Sequence, residues 1–179
     1  LASNKSLKKV VLGELKKIDE YAFFEASIEE LPKFTVDTKI GKYAFSHTKL
    51  KSVIIPDKMV VEEGVFSECI ELKSVKVGND VKLGNFAFSI NKDHAFDVEM
   101  YKENGTKYFY YVFSGNLKSL TIGDNVVIGE NAFAHAAALE KVTLGANAEI
   151  QKQAFYNNCS LKSIDLSKVK SIGDYAFSG

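Results

Sequence analysis

Histidine and cysteine are the residue types in this sequence that most readily ligate metals or act as nucleophiles. His47 and His135 each lie two residues after the phenylalanine of an Ala-Phe pair, and His94 stands next to Asp93. No Ser/His/Asp, Cys/His or paired-carboxylate arrangement accompanies them, and the glycines do not form a phosphate-binding loop. We therefore expect no enzymatic activity, no catalytic residue, no metal site and no cofactor.

The two cysteines occupy nearly equivalent places in a repeated pattern, Cys69 three residues and Cys159 four residues after a phenylalanine. Four repeats separate them, and at about 4.8 Å per stacked repeat the distance between the two cysteines is roughly 19 Å. A disulfide requires Cα atoms within about 7 Å of each other. We therefore expect two free thiols, both buried as small hydrophobic residues. By the same spacing, His47 and His135 are too far apart to share a metal ion.

The basic residues are all lysines, and their number, 23, equals that of the acidic residues. Zero net charge and the absence of arginine argue against nucleic acid as a partner. One column of charges is nonetheless regular, because the residue after the first member of a repeated apolar triplet is lysine in five repeats and glutamate in two. The column consists of Lys8, Glu29, Lys51, Lys73, Lys118, Glu140 and Lys162. It could bind an acidic ligand such as a sulfated glycan, with Lys51, Lys73 and Lys118 as candidates. Alternatively, the lysines protect strand ends and keep the protein soluble.

Aromatic residues are concentrated between Phe96 and Phe113, where seven of them lie. Strand-forming residues flank the dipeptide Asn104-Gly105, so we predict a β-hairpin with Glu103 and Thr106 beside a two-residue turn. The hairpin is either a ligand-binding platform or a degenerate repeat that packs against the rest of the chain. The candidate ligand-binding tyrosines are Tyr101, Tyr108, Tyr110 and Tyr111.

The elements that position these side chains follow from a repeat of the phenylalanines. Seven pairs of a small residue and phenylalanine recur at intervals of 22, 21, 22, 45, 22 and 22 residues. Their phenylalanines, which we call the anchors, are Phe23, Phe45, Phe66, Phe88, Phe133, Phe155 and Phe177. A period in the low twenties indicates a solenoid, in which the anchors stack as a structural core. The 45-residue interval means that residues 90–112 are either an insertion or a degenerate repeat.

Two further columns share this period. An apolar triplet spaced like Leu50, Val53 and Ile55 recurs between anchors, and its alternation predicts a short, half-buried strand. An aliphatic residue lies four positions before each small residue, and in four repeats a glycine follows it, as at Gly84 and Gly129. Glycine at this place indicates either a positive φ or a close approach of two backbones.

These columns resemble the BspA-type leucine-rich repeats, whose unit reads approximately I-G-x-x-A-F-x-x-C-x-x-L-x-x-V-x-I-P. The matching segments include residues 40–45, 50–56, 66–72 and 172–177. The resemblance implies a β-rich, right-handed leucine-rich-repeat solenoid with short parallel strands and little helix, here of about eight coils of about 22 residues. It does not extend to residues 90–113, where the residues themselves predict the inserted β-hairpin. It also implies a secreted or surface-anchored bacterial protein that binds host or microbial macromolecules and carries no catalytic residues.

The resulting expectation is a single solenoid domain over residues 1–179. Because Leu1 falls on an anchor position and Gly179 lies two residues after one, we expect a segment of a longer array. The predicted function is a non-enzymatic module, most simply a monomer, for protein recognition or adhesion outside the cell. The alternatives are a structural spacer and a glycan-binding module that uses the lysine column. No apolar run approaches the length of a membrane span.

Overall fold

In the computed structural model the chain forms thirteen β-strands and no helix over the residues that the structure describes, which are 2–11, 15–31, 34–90, 95–101, 107–113 and 115–179. Four strands of four residues make the longer sheet: β3 (Ser52–Ile55), β5 (Ser74–Val77), β9 (Ser119–Ile122) and β11 (Lys141–Leu144). Two longer strands form a hairpin: β7 (Ala95–Tyr101) and β8 (Lys107–Phe113). The others have two residues each: β1 (Lys17–Ile18), β2 (Lys39–Ile40), β4 (Val60–Val61), β6 (Lys82–Leu83), β10 (Val127–Ile128), β12 (Glu149–Ile150) and β13 (Ser171–Ile172).

The longer sheet contains one strand from each of four successive coils. Its strands pair in parallel in the order β11-β9-β5-β3, with Ser52 opposite Ser74 and Ser74 opposite Ser119. In β3, β5 and β9 the first and third residues are exposed, whereas the second and fourth belong to the core. Parallel neighbours require the chain to cross over between strands, so this sheet confirms the predicted leucine-rich-repeat solenoid.

The two-residue strands form a second parallel row on the same coils. Five of them pair in the order β13-β12-β10-β6-β4, and β1 pairs with β2. A Cβ at Gly84 would lie 2.7 Å from the carbonyl carbon of Glu62, and one at Gly129 would lie 2.6 Å from the carbonyl oxygen of Leu83. Neither glycine has a positive φ. Close contact between coils, and not a left-handed conformation, is therefore the reason for glycine after the aliphatic residue.

The anchor phenylalanines form one continuous column of rings. Successive centroids lie 5.1–5.8 Å apart and the interplanar angles are 2–16°. Six of the seven small residues that precede them are buried, as Ala44, Ala87 and Ala132 illustrate with an exposed fraction of 0%, whereas Ala22, in the first of these coils, is partly buried. A larger side chain at these positions would displace the neighbouring ring.

The 45-residue interval is a single coil that carries an insertion. Phe88 stacks directly on Phe133, with ring centroids 5.1 Å apart, and the Phe88 amide donates a hydrogen bond to the Ala132 carbonyl. The seven stacked anchors thus define six steps from coil to coil. The predicted number of about eight coils is too high, because the 45-residue interval has the length of two periods but makes only one step. Strands β7 and β8 pair antiparallel within it, which confirms the inserted hairpin. The predicted turn at Asn104-Gly105, with Glu103 and Thr106, lies outside the described residues.

Replacing Ala132 by leucine should lower the free energy of unfolding by about 1–3 kcal/mol, because the added atoms overpack the ring column. Ser119→Leu, on the exposed face of β9, should change the free energy by no more than about 0.5 kcal/mol. Urea unfolding followed by circular dichroism measures both values. Equal destabilisation by the two substitutions would contradict the buried position of Ala132.

Candidate functional site

The lysine column runs across the longer sheet at the N-terminal ends of its strands. Lys51, Lys73 and Lys118 directly precede β3, β5 and β9, and all three are exposed. Their backbones are hydrogen bonded from coil to coil, since the Lys73 amide donates to the Lys51 carbonyl and the Lys118 amide to the Lys73 carbonyl, both at 3.0 Å. The three lysines are therefore immediate neighbours, although 45 residues separate Lys73 from Lys118 in the sequence.

Exposed hydroxyl and lysine side chains extend this edge across the face of the sheet. The first residues of β3, β5 and β9 are serines in direct register, and the third residues of β5 and β9 are Lys76 and Thr121. Neighbouring strands of a sheet are about 4.8 Å apart. The face therefore presents closely spaced cationic and hydroxyl groups, together with the exposed apolar side chain of Ile54 as the third residue of β3.

Glutamates neutralise part of the lysine column. Glu29 lies between two lysines, with its carboxylate 2.5 Å from Nζ of Lys51 and 3.8 Å from Nζ of Lys8. The hydrogen bond from Lys51 lowers the pKa of Glu29, and the same contact raises the pKa of Lys51. Lys118 has a longer ion pair of 3.9 Å with Glu140. Exposed pairs of this kind add little stability, but they reduce the positive charge on either side of Lys73.

Lys73 is the centre of the remaining positive charge. It forms no ion pair with any residue in the described part of the chain, and neither does Lys76 on the adjacent exposed face. A negatively charged ligand would therefore find uncompensated charge in the middle of the sheet edge.

The hairpin separates the four predicted tyrosines into two pairs. The register sets Tyr108 opposite Met100 and Tyr110 opposite Val98, while Tyr111 stands opposite Asp97 and Tyr101 opposite Lys107. Because alternate positions of a strand belong to opposite faces, positions 108 and 110 share one face and positions 101 and 111 share the other. One platform made of all four tyrosines is thus incompatible with the register.

The prediction of two buried cysteines is half wrong. Cys69 is buried, but Cys159 is exposed. Among the described residues, the position three residues after an anchor is buried, as at Ala26, Thr48, Cys69 and Ala136, and in the coil of Phe155 it is held by Asn158, which is 8% exposed. Cys159 lies one residue further, where the chain turns outward. The two cysteines are also three steps apart and not four, because Phe88 and Phe133 are neighbours.

Burial determines the chemistry of Cys69. Its thiol lies 3.3 Å from the Phe45 carbonyl oxygen and 3.2 Å from the Thr48 hydroxyl. Loss of solvent raises its pKa to about 11, because the thiolate is disfavoured in the core. Cys69 is therefore a small core residue and not a nucleophile at neutral pH.

The histidines occupy separate coils. His135 lies 3.2 Å from the side-chain nitrogen of Asn157 and packs edge-on against Tyr156, and burial lowers its pKa. His47 packs edge-on against Phe24, whereas His94 lies outside the described residues. In the described part of the chain, no three His, Cys, Asp or Glu side chains are grouped as metal ligands.

A groove lined by exposed and half-buried aromatic residues is a feature that the sequence did not predict. Its cavity of about 430 Å³ lies among Tyr21, Phe24, Tyr43 and Phe86. Tyr21 and Phe86 are 48% and 40% exposed, which is high for large rings outside an interface. One sequence feature could have predicted the groove: the residue two positions before the anchor is tyrosine or phenylalanine in four of the seven coils. We call this position the pre-anchor position.

The backbone explains why these rings are exposed. All seven pre-anchor residues have a positive φ, between 54 and 62°, although only Gly64 among them is a glycine. Tyr43 is held in place by a 2.8 Å hydrogen bond from its hydroxyl to Glu63, whose carboxylate also accepts a hydrogen bond from Lys42. Burial and the contact with Glu63 raise the pKa of Tyr43 to about 12. The ring of Tyr43 is thereby fixed at the wall of the groove.

A scan against protein-family models gives a match over the whole repeat array. The matching model is described as a BspA type leucine rich repeat region, with six copies over residues 2–102 and 102–179. No curated protein matches the chain. Over the described residues, no helix is long and apolar enough to cross a membrane.

A solved structure with partial similarity is the crystal structure of the pneumococcal vaccine antigen PcpA. It is 18% identical to this chain, with a TM-score of 0.31, and the match covers 88% of this chain and 56% of that one. The chain therefore spans little more than half of that protein.

Under native conditions a maleimide reagent at about pH 8 should modify Cys159 rapidly and leave Cys69 unmodified, since only the former is exposed. Mass spectrometry after timed quenching measures one adduct for the folded protein and two in denaturant. Cys159→Ser is the matched control and should show no fast adduct. Fast labelling of Cys69 in that variant would contradict its buried position.

Proposed function

The chain belongs to the BspA-type leucine-rich repeat family, and on this premise we propose that it is a non-enzymatic recognition module of a secreted or cell-surface protein, binding a host or microbial macromolecule. We infer that residues 1–179 act as one solenoid domain and that residues 90–112 are an insertion within it. Recognition by such arrays uses side chains outside the repeated core, because the core columns are required for folding.

The observation that carries the proposal is the lysine column beside the longer sheet. Lys51, Lys73 and Lys118 adjoin one another through backbone hydrogen bonds, and Lys73 has no ion pair among the described residues. Lysine is depleted at the centre of protein–protein interfaces, whereas a row of lysines and hydroxyls attracts polyanions. A polyanionic ligand such as a sulfated glycan therefore fits this surface best.

The alternative of a structural spacer makes a different demand on the same residues. Lysines that only maintain solubility need no common orientation, and their replacement by glutamine would leave all binding unchanged. If the column binds a ligand, replacing its central lysines must weaken binding more than replacing lysines elsewhere on the surface.

The double substitution Lys51→Gln/Lys73→Gln should weaken heparin binding by about tenfold at low salt, because it removes the centre of the positive charge. Surface plasmon resonance on immobilised heparin, repeated over a series of salt concentrations, measures this. Lys39→Gln/Lys82→Gln removes the same charge from exposed positions on β2 and β6 and serves as the control. Equal losses in the two double variants, or binding that salt does not affect, would refute the lysine column as the site.

The hairpin is a second candidate for recognition, and its register is the observation that favours it. Alternation assigns Phe96, Val98, Met100, Tyr108, Tyr110 and Val112 to one face. The other face mixes three charged residues with apolar and aromatic ones: Ala95, Asp97, Glu99, Tyr101, Lys107, Phe109, Tyr111 and Phe113. The face without charges suits a protein partner, with Tyr108 and Tyr110 as its aromatic contacts, whereas Tyr101 and Tyr111 lie on the face that carries the charges.

Deletion of residues 97–112 should leave the fold intact, because Phe88 stacks on Phe133 without the hairpin, and should abolish binding to a protein partner. Circular dichroism melting checks the fold, and capture on an array of immobilised host matrix proteins measures binding. Tyr108→Ser/Tyr110→Ser should reproduce the loss, whereas the matched pair Tyr101→Ser/Tyr111→Ser should not. Unchanged binding after the deletion would exclude the hairpin as a recognition element.

A further inference from the structure

The inserted hairpin has two outer edges that pair with no other strand of the described chain. Strands β7 and β8 pair with each other through all seven of their residues, and the described strands of the solenoid form separate sheets. A two-stranded hairpin alone is at best marginally stable in water, whereas three or more strands with an apolar face form a stable sheet. The hairpin would therefore gain stability from an additional strand.

The two edges differ in their protection against pairing with another chain. Charged residues on an edge strand discourage such pairing. Strand β7 has Asp97 and Glu99 at the third and fifth of its seven positions. In β8 the only charged residue is Lys107 at the first position, and residues 108–113 include no proline or glycine. A run of strand-forming residues with so little charge readily accepts a further strand, so β8 has the open edge.

We propose that the free edge of β8 pairs antiparallel with β8 of a second copy of this chain. A two-fold axis at Tyr110 brings all seven residues of the strand into register, with Tyr110 opposite Tyr110 of the second copy and Tyr108 opposite Val112. Lys107 then stands opposite Phe113, so no like charges meet. The sequence alone led us to expect a monomer, and the unprotected edge of the insertion is the feature that argues for a dimer.

The same symmetry operation is unfavourable for β7. A two-fold axis at Val98 would set Asp97 of each copy opposite Glu99 of the other. Like charges directly opposite each other destabilise a pair of strands, and here two such pairs would form. Self-pairing is therefore specific for β8.

Pairing through β8 gives a closed assembly of two copies. The strands of the combined sheet follow the order β7-β8-β8-β7, so both of its outer edges belong to the charged strand β7. Pairing of β7 from one copy with β8 from another would instead leave one free edge of each kind, and the array would continue without limit. Self-pairing of β8 is thus the arrangement that ends at a dimer.

The two-fold axis also preserves the faces of the hairpin. Positions 108, 110 and 112 pair among themselves, so the uncharged faces of the two copies become one surface across four strands. The dimer would therefore double the face that we assign to a protein partner. Self-pairing uses the edge of β8 and does not require that such a partner exists.

Sedimentation velocity of the full chain at concentrations of about 10–500 µM tests the proposal, and we expect a dimer with a dissociation constant of about 100 µM or tighter. Tyr110→Lys should weaken dimerisation by about tenfold or more, because two lysines then meet at the two-fold axis. Val98→Lys is the matched control, since Val98 stands opposite Tyr110 within the hairpin and the variant adds the same charge to the same face. It should change the dissociation constant by less than about threefold.

Cysteine cross-linking measures the register directly. In a Cys159→Ser background, Tyr110→Cys sets two thiols opposite each other with Cα atoms about 4.5–5.5 Å apart, which a disulfide can bridge. Oxidation with diamide should therefore give a covalent dimer. Val98→Cys in the same background should give none, because three strand spacings, about 14 Å, separate the two copies of position 98. Cys69 is buried and present in both variants.

A chain that stays monomeric at about 500 µM would overturn the proposal. Equal weakening by Tyr110→Lys and Val98→Lys, or a covalent dimer of Val98→Cys, would also overturn it, since the edge of β8 would then not be the interface. A dimer that survives deletion of residues 97–112 would place the contact outside the hairpin. Capture on matrix proteins is a separate measurement, so the recognition function and the dimer can fail independently.

Discussion

The fold depends on the backbone hydrogen bonds that join each Ala-Phe turn to the turn of the next coil. In these turns the amides of alternate residues donate hydrogen bonds to carbonyls of the next coil. Examples are the bonds from the Phe45 amide to the Val65 carbonyl and from the His47 amide to the Ser67 carbonyl, both 3.0 Å long. The amides of the residues between them donate to carbonyls earlier in the same turn, as the Ser46 amide does to the Tyr43 carbonyl. Every coil must return to the same place for this ladder to continue, and this requirement stacks each anchor ring on the one before it.

The ladder requires a backbone conformation that most residue types avoid. Among the described residues, sixteen that are not glycine have a positive φ, and eleven of them lie two residues before or two residues after an anchor. Each such residue costs about 1–3 kcal/mol unless its surroundings enforce it. The hydrogen bonds and the ring column supply that enforcement. The same left-handed conformation at the pre-anchor position leaves the rings of Tyr21 and Phe86 exposed. The aromatic groove is thus a consequence of how the coils are held together.

The periodicity of the sequence predicted the features that recur in every coil. It failed where the position of a single residue decides whether a side chain is buried or exposed. The anchors and the triplets were predictable because each core position must bury the same kind of side chain in every coil. The inserted hairpin was predictable for another reason, the Asn104-Gly105 turn signal between two runs of strand-forming residues. Cys159 was misplaced because a shift of a single position along the turn separates a core site from the surface. The aromatic groove was missed because tyrosine, phenylalanine and glutamine give no signal for a left-handed backbone, which the ladder imposes.

The place of the insertion shows how such an array gains new surfaces without losing its core. The last described hydrogen bond of the turn before the insertion is that from the Ile90 amide to the Ala134 carbonyl of the next coil. Pairing with the preceding coil resumes at Asn116, whose amide donates to the Ile70 carbonyl. The added residues therefore enter between two sets of inter-coil hydrogen bonds and interrupt neither. Since the core columns are fixed by stacking, variation is confined to such junctions and to exposed columns, and these are the places where binding specificity can differ between arrays of the same fold.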